Sequence, residues 1–148
     1  MSVKELGHVV LFVEDLERSR DFYRDVLGFP EILHMPGRMA AYSSGRTHHE
    51  LLLIAVGPAQ PIPKGRRLGM YHFGLKVGDS DDELRTMWER LQGANVRVTG
   101  ASDHGVTHSL YILDPDGNEI ELYIDVPGVD WKNAPALLTL SSTLVSVP

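Results

Sequence analysis

The spacing of hydrophobic positions changes twice along this chain, in the same way each time. From His8, "HVVLFV" has the Val, Leu and Phe content of a strand, after which Leu16, Ser19, Tyr23, Val26 and Leu27 fall on one helical stripe. From His72, "HFGLKV" gives way likewise to Leu84, Met87, Trp88 and Leu91. Asp15 stands before the first stripe as an N-cap, "SDDE" at 80–83 is a capping box before the second, and Gly28 and Gly93 mark the C-terminal ends. The Met and aromatic residues on these stripes read as core. Three strand-like stretches follow each helix: 30–34, 38–44 and 48–56, then 95–99, 108–113 and 119–125.

The two halves are a repeat. His8/His72, Leu11/Leu75, Val13/Val77, Asp15/Asp79 and Leu27/Leu91 align, and one inserted residue brings Gly28 over Gly93. "ELLLIAV" at 50–56 lies over "ELYIDV" at 121–126, with Glu50 in register with Glu121. Each copy is therefore βαβββ, with a His on its first strand and a Glu on its last. The fold class is α+β: two tandem βαβββ modules, about 5–56 and 70–126, expected to form a cup-shaped mixed sheet around a metal site within a single domain, 1–148. The Pro- and Gly-rich segment 57–69 is the linker. The tail 127–148 has no clear period and is expected to pack over the domain or against a partner subunit.

Composition narrows the function. The chain has 148 residues, 43% of them hydrophobic, enough for one compact domain with a core. Its formal charge of -6 and scattered basic residues, apart from "KGRR" at 64–67, argue against a nucleic-acid-binding face. With no cysteine, a metal must be held by His, Asp or Glu. No stretch approaches the roughly 20 apolar residues that cross a bilayer, and "MSVKELGHVV" lacks a signal-peptide core, so the expected location is cytoplasmic, away from membranes.

Strand alternation turns the repeat into chemistry. If the modules pair through pseudo-twofold symmetry, their first and last strands line a cup with His8, His72, Glu121 and, as a further candidate, Glu50. Two neutral imidazoles and one carboxylate on one rim suit non-haem Fe(II), with positions left for substrate and oxygen. With "DPDGN" at 114–118 as the hairpin loop, Leu113 faces Glu119 and Tyr111 faces Glu121, which sets the Tyr111 hydroxyl near a metal-bound substrate. The same parity turns His108 away and leaves His104, on the approach to the strand, to lean over the cup. "THHELLL" at 47–53 leaves two arrangements open. Either Glu50 looks inward as a fourth ligand, with His48 on the same face and His49 outward, or His49 looks inward as an acid/base near pH 7; only a bulge escapes that choice.

The repeat, the opening "GHVVLFVEDLERSRDFYRDVLGF" and the ending "HGVTHSLYILDPDGNEIELY" resemble the vicinal oxygen chelate superfamily over about residues 5–126. That superfamily includes glyoxalase I, extradiol ring-cleavage dioxygenases, thiol transferases of fosfomycin resistance and bleomycin-binding proteins. The chain is similar above all to catechol 2,3-dioxygenases in their catalytic module. The resemblance implies an Fe(II)-dependent dioxygenase acting on a catechol-like diol with O2. It assigns the metal to His8, His72 and Glu121, with Mn(II), Ni(II) or Zn(II) as alternatives. His49 becomes the proton-transfer histidine, where the family shows His-Asp and this chain shows His49-Glu50. His104 matches a histidine that supports the site without ligating the metal, and Tyr111 the substrate-side tyrosine; a homodimer is the expected assembly. The shorter segment between "HGVTH" and Tyr111 is a departure that bears on His104. Two alternatives stand beside this reading: a glyoxalase I-like enzyme acting on a thiol adduct, with His8, Glu50, His72 and Glu121 as ligands, and a metal-free drug-binding protein.

Overall fold

The computed structural model describes residues 1–133 and the backbone of Thr143–Leu144. These divide into two compact units, Met1–Ile62 and Pro63–Pro148, called module 1 and module 2 below. Among the described residues, no helix is long and apolar enough to cross a membrane.

Module 1 runs β1 (Val9–Val13), α1 (Leu16–Arg20, continuing as a π-helical stretch over Asp21–Val26), β2 (Glu31–Met35), β3 (Met39–Tyr42) and β4 (Leu51–Ala55). Its sheet has the order β1-β4-β3-β2, with β1 parallel to β4 and the other pairs antiparallel. Alternation sorts β1 into buried Leu11 and Val13 and exposed Val10 and Phe12, while Leu51 and Leu53 of β4 are almost wholly enclosed. Each such aliphatic side chain contributes roughly 1.5–3 kcal/mol on burial. Asp15 caps the helix as expected, its carboxylate accepting from the amides of Glu17 and Arg18. The helix then widens, with the Leu27 amide donating to Phe22 at 2.9 Å. Its apolar phase therefore shifts: neighbours Phe22 and Tyr23 are both buried, whereas Val26 is only half-buried. Arg20, also buried, donates to both oxygens of Glu31 at 2.7 and 2.9 Å and bonds Glu17, tying the helix to β2.

Module 2 repeats the order: β5 (His72–Gly78), α2 (Asp81–Gly93), β6 (Val98–Asp103), β7 (Thr107–Leu113) and β8 (Glu119–Asp125). A two-residue strand of the tail, β9 (Thr143–Leu144), adds to β6 to give the order β5-β8-β7-β6-β9; the rest of the tail beyond Asn133 lies outside the described residues. Ile112, Ile120, Leu122 and Ile124 are fully buried on the face shared with Leu91 of α2. Ser80 caps α2, and the Glu83 carboxylate accepts from the Asp79 amide at 2.8 Å and the Ser80 hydroxyl at 2.9 Å. Gly78 makes room for this box, since a Cβ there would lie 2.5 Å from the Cβ of Glu83.

Two strand expectations are corrected. Residues 48–50 belong to a bend before β4, because Glu50 folds back onto its own loop. The second-module strand starts at Val98, later than 95, because Gly93 remains helical and Asn95 takes the positive φ of 56° that ends the helix. In module 1 that conformation falls on Gly28, with φ 73°.

Candidate metal and substrate site

Module 2 gathers four of the residues singled out from the sequence. The DPDGN turn is closed by the Asp114 amide on Asn118 O and by the Asp114 carboxylate accepting from the amides of Asp116 and Asn118. This fixes the hairpin in the expected register, with Tyr111 opposite Glu121 and Leu113 opposite Glu119. On the parallel side, His72 pairs with Glu119 and Gly74 with Glu121. The result is a line of polar contacts. His104 Nε2 lies 2.8 Å from the Tyr111 hydroxyl, which lies 3.3 Å from Glu121 Oε1, and Glu121 Oε2 lies 3.2 Å from His72 Nε2. His104 reaches this line from a tight turn, in which its amide donates to Thr107 O and Gly105 adopts φ 75°. His108 points the other way, toward the helix, with Nδ1 2.6 Å from Asp81 Oδ1.

Two participants escaped the sequence reading. Ser109 is 2% exposed and donates its hydroxyl to Glu121 Oε1 at 2.6 Å. Glu119 Oε1 lies 3.4 Å from His72 Nδ1, and both atoms are buried without a hydrogen-bond partner. The signal for both was parity: Ser109 is two residues from Tyr111 and Glu119 two from Glu121, each on the same strand face.

In module 1, His8 sits just before β1 and is exposed. Its ring is 4.4 Å from that of His49 and 5.9 Å from that of His48, and the Nδ1 atoms of His48 and His49 are 2.6 Å apart. Partial burial, then the neighbouring His48 and His8, hold the His49 pKa below the ordinary histidine value. The bend from Ser44 to Glu50 frees His49 and Glu50 from strand alternation. Glu50 Oε2 accepts from the amide and hydroxyl of Ser44 at 2.6 and 3.1 Å, and Oε1 from the amides of Arg46 and Thr47 at 3.1 and 3.2 Å. Although burial raises its pKa, these bonds and the nearby Arg46 outweigh it and hold Glu50 below the usual carboxylate range.

The repeat itself has a different register from the one expected. Val9 pairs with Leu51 and Phe73 with Ile120, so with His8 over His72 the counterpart of Glu50 is Glu119, and the counterpart of Glu121 is Leu52. Matching Glu to Glu slipped the last strand by two residues, a shift that preserves parity and so leaves no trace in the hydrophobic pattern.

Within neither module do three described His, Asp or Glu side chains gather closely enough to hold a metal ion by themselves. Module 2 nevertheless supplies a donor pair that fits a divalent ion. An imidazole nitrogen and a carboxylate oxygen converge at 3.2 Å, and the second imidazole nitrogen lies beside the carboxylate of Glu119, the arrangement that orients metal-binding histidines. Gly74 keeps that place open: a Cβ there would lie 3.8 Å from Glu121 Oε2 and 3.1 Å from the Tyr123 ring.

Comparison with known proteins agrees with the fold. The chain is 35% identical over 127 residues to a catechol-2,3-dioxygenase of Bacillus subtilis (strain 168), an alignment covering 86% of this chain and 44% of that protein. It thus spans less than half of that relative's length. A metallothiol transferase FosB of Staphylococcus epidermidis (strain ATCC 12228 / FDA PCI 1200) is 29% identical over 83% of each chain. Among solved structures, lactoylglutathione lyase from Agrobacterium tumefaciens superimposes with a TM-score of 0.63 at 27% identity, over 84% of this chain and 96% of that one. The family model of the Glyoxalase/Bleomycin resistance protein/Dioxygenase superfamily matches residues 5–122, and the chain belongs to that superfamily.

Proposed function

We propose that this chain is an extradiol-type ring-cleavage dioxygenase that acts on a catechol-like aromatic diol with O2. His72 and Glu121 would hold Fe(II), with His8 as the third ligand that the sequence resemblance implies. The observation that carries this reading is the line of contacts from His104 through Tyr111 to Glu121 and His72, which sets a hydrogen-bonding tyrosine and histidine beside the ligand pair. When bound, Fe(II) supplies Lewis acidity toward the diol oxygens and redox chemistry toward O2, for which Mn(II) is the nearest substitute.

The chain's own residues handle protons and orientation. His49, its pKa lowered, is neutral near pH 7 and takes a proton from a diol hydroxyl, returning it later in the reaction. Its Nδ1 is engaged with His48, which leaves Nε2 as the exchanging atom. Burial, and then the charge of Glu121, push the Tyr111 pKa up to about 12, so Tyr111 remains a hydrogen-bond donor to a substrate oxygen throughout the neutral range. His104, 2.8 Å from that hydroxyl, orients it and extends the same contact. Such placed donors act where charge develops, and they need no reorganisation at the moment of reaction.

Glyoxalase-like chemistry is the weaker alternative, because its fourth ligand would be Glu50, whose two oxygens are already occupied by the loop that contains it. The deciding experiment is anaerobic loading with Fe(II), followed by admission of air and simple catechols. Oxygen uptake with formation of a ring-opened, visibly absorbing product is the expected result. Inert Fe(II) protein, together with Ni(II)- or Zn(II)-dependent isomerisation of a thiol–aldehyde adduct, would overturn it.

A further inference from the structure

We propose that Ser109 is a positioning residue that occupies one oxygen of Glu121, so that the carboxylate presents only the other oxygen to the metal ion. This rests on the reading that His72 and Glu121 bind a divalent metal. A free carboxylate beside a divalent cation can ligate through one oxygen or through both. Here the two oxygens have separate surroundings. Oε1 accepts the Ser109 hydroxyl at 2.6 Å, within the range of a charge-assisted O–H···O⁻ bond, and lies 3.3 Å from the Tyr111 hydroxyl. Oε2 faces His72 Nε2 at 3.2 Å, next to the space left by Gly74.

Strand geometry makes the device rigid. Ser109 pairs with Tyr123, Tyr111 pairs with Glu121, and all four side chains share one face of the β7–β8 ladder. Ser109 therefore reaches the carboxylate diagonally from a neighbouring position, and it is only 2% exposed. The hydroxyl holds Glu121 against rotation about its terminal bond. Tyr111, with the longer contact to the same oxygen, remains available to the substrate.

The test uses the full chain and Mn(II) alone as probe, with titration calorimetry as readout and thermal unfolding of the metal-free proteins as control. Ser109→Ala is expected to weaken Mn(II) binding about 10–100-fold, the usual effect of removing a group that orients a ligand. Ser109→Thr, which keeps the hydroxyl, is expected to restore binding to within about 3-fold of the unsubstituted chain, and Tyr111→Phe to change it less than Ser109→Ala does. Unchanged affinity in Ser109→Ala, while His72→Ala abolishes binding, would overturn the role of Ser109 and leave the metal site standing. Equal binding by the unsubstituted chain and His72→Ala would remove the metal site and this inference with it. Equal losses in Ser109→Ala and Ser109→Thr would reduce Ser109 to a packing residue and overturn the proposal.

Discussion

The two modules share a topology but use their last strands differently. In module 2, the outward positions of β8 carry Glu119 and Glu121, and both meet His72. In module 1, Leu52 stands where module 2 has Glu121, and Glu50, the counterpart of Glu119, lies before the strand and closes its own loop. Module 1 carries its histidines around that loop, where the rings of His48 and His49 lie tilted beside that of His8. In the function proposed above, module 2 presents His72 and Glu121 from its strands as metal ligands, and module 1 presents the proton-transfer histidine from a connection. Duplication sets the frame, and the divergence falls where the frame has freedom.

The strongest way to break this comparison is to delete the group assigned to proton transfer. His49→Ala is expected to lower kcat by roughly 10²–10⁴-fold and to leave Mn(II) affinity and unfolding unchanged. Steady-state kinetics beside calorimetry reads both; a matching loss of metal affinity would move His49 into the ligand set. Next in size is the contrast between the glutamates. Glu121→Gln is expected to weaken Mn(II) binding about 100-fold or more, whereas Glu50→Gln changes it less than about 3-fold. Equal losses would restore the symmetrical four-ligand arrangement.

Stability sharpens the same contrast. Glu50→Ala strips the acceptor from three loop amides and a hydroxyl, and is expected to cost about 1–3 kcal/mol in urea unfolding. Because the folded Glu50 has a depressed pKa, its stabilisation is present above its ordinary value of 4.5 and is lost as the pH falls below it. Glu31, held low chiefly by its bond to Arg20, behaves alike. Unfolding measured from pH 6 down to about 3 should steepen below 4.5, and Glu50→Gln together with Glu31→Gln should flatten that slope.

The smallest effects separate the two helix caps. Gly78→Ala forces Glu83 out of the capping box and is expected to cost about 1–2 kcal/mol, whereas Glu14→Ala at the matching position of module 1, where Asp15 caps alone, changes stability by less than about 0.5 kcal/mol.

Much of this arrangement was legible before the structure. Asp15, the SDDE box, the paired βαβββ order and the facing of Tyr111 on Glu121 all follow from local hydrogen-bonding chemistry or period-two alternation. So does the turning of His108 away from that face. The failures on the strands share one cause, which is that parity is blind to shifts of two and to where a strand begins. Glu50 matched Glu121 by identity, although the ladder pairs it with the position of Glu119. Nothing in "THHELLL" announces that a carboxylate will turn back on its own amides, since the bend depends on Ser44, Arg46 and Thr47 acting together. Gly93 looked like a helix terminator, but Asn95 took the left-handed conformation, which Asn adopts more readily than most side chains. Ser109 and Glu119 were visible as parity mates but carried no chemistry until Glu121 and His72 were placed beside them.

The loop closed by Glu50 has a consequence for ligand capture. Flexible connections that carry reactive groups usually lose conformational freedom when a ligand arrives, and that loss subtracts from affinity. Between Ser44 and Thr47 the chain is already fixed by three backbone amides and the Ser44 hydroxyl bonded to one carboxylate, and the Arg46 guanidinium ties the bend to Gly7 O, next to His8. The ordering of His48 and His49 is therefore completed during folding. A ligand that reaches them meets preorganised rings, and its binding energy remains available for its own orientation.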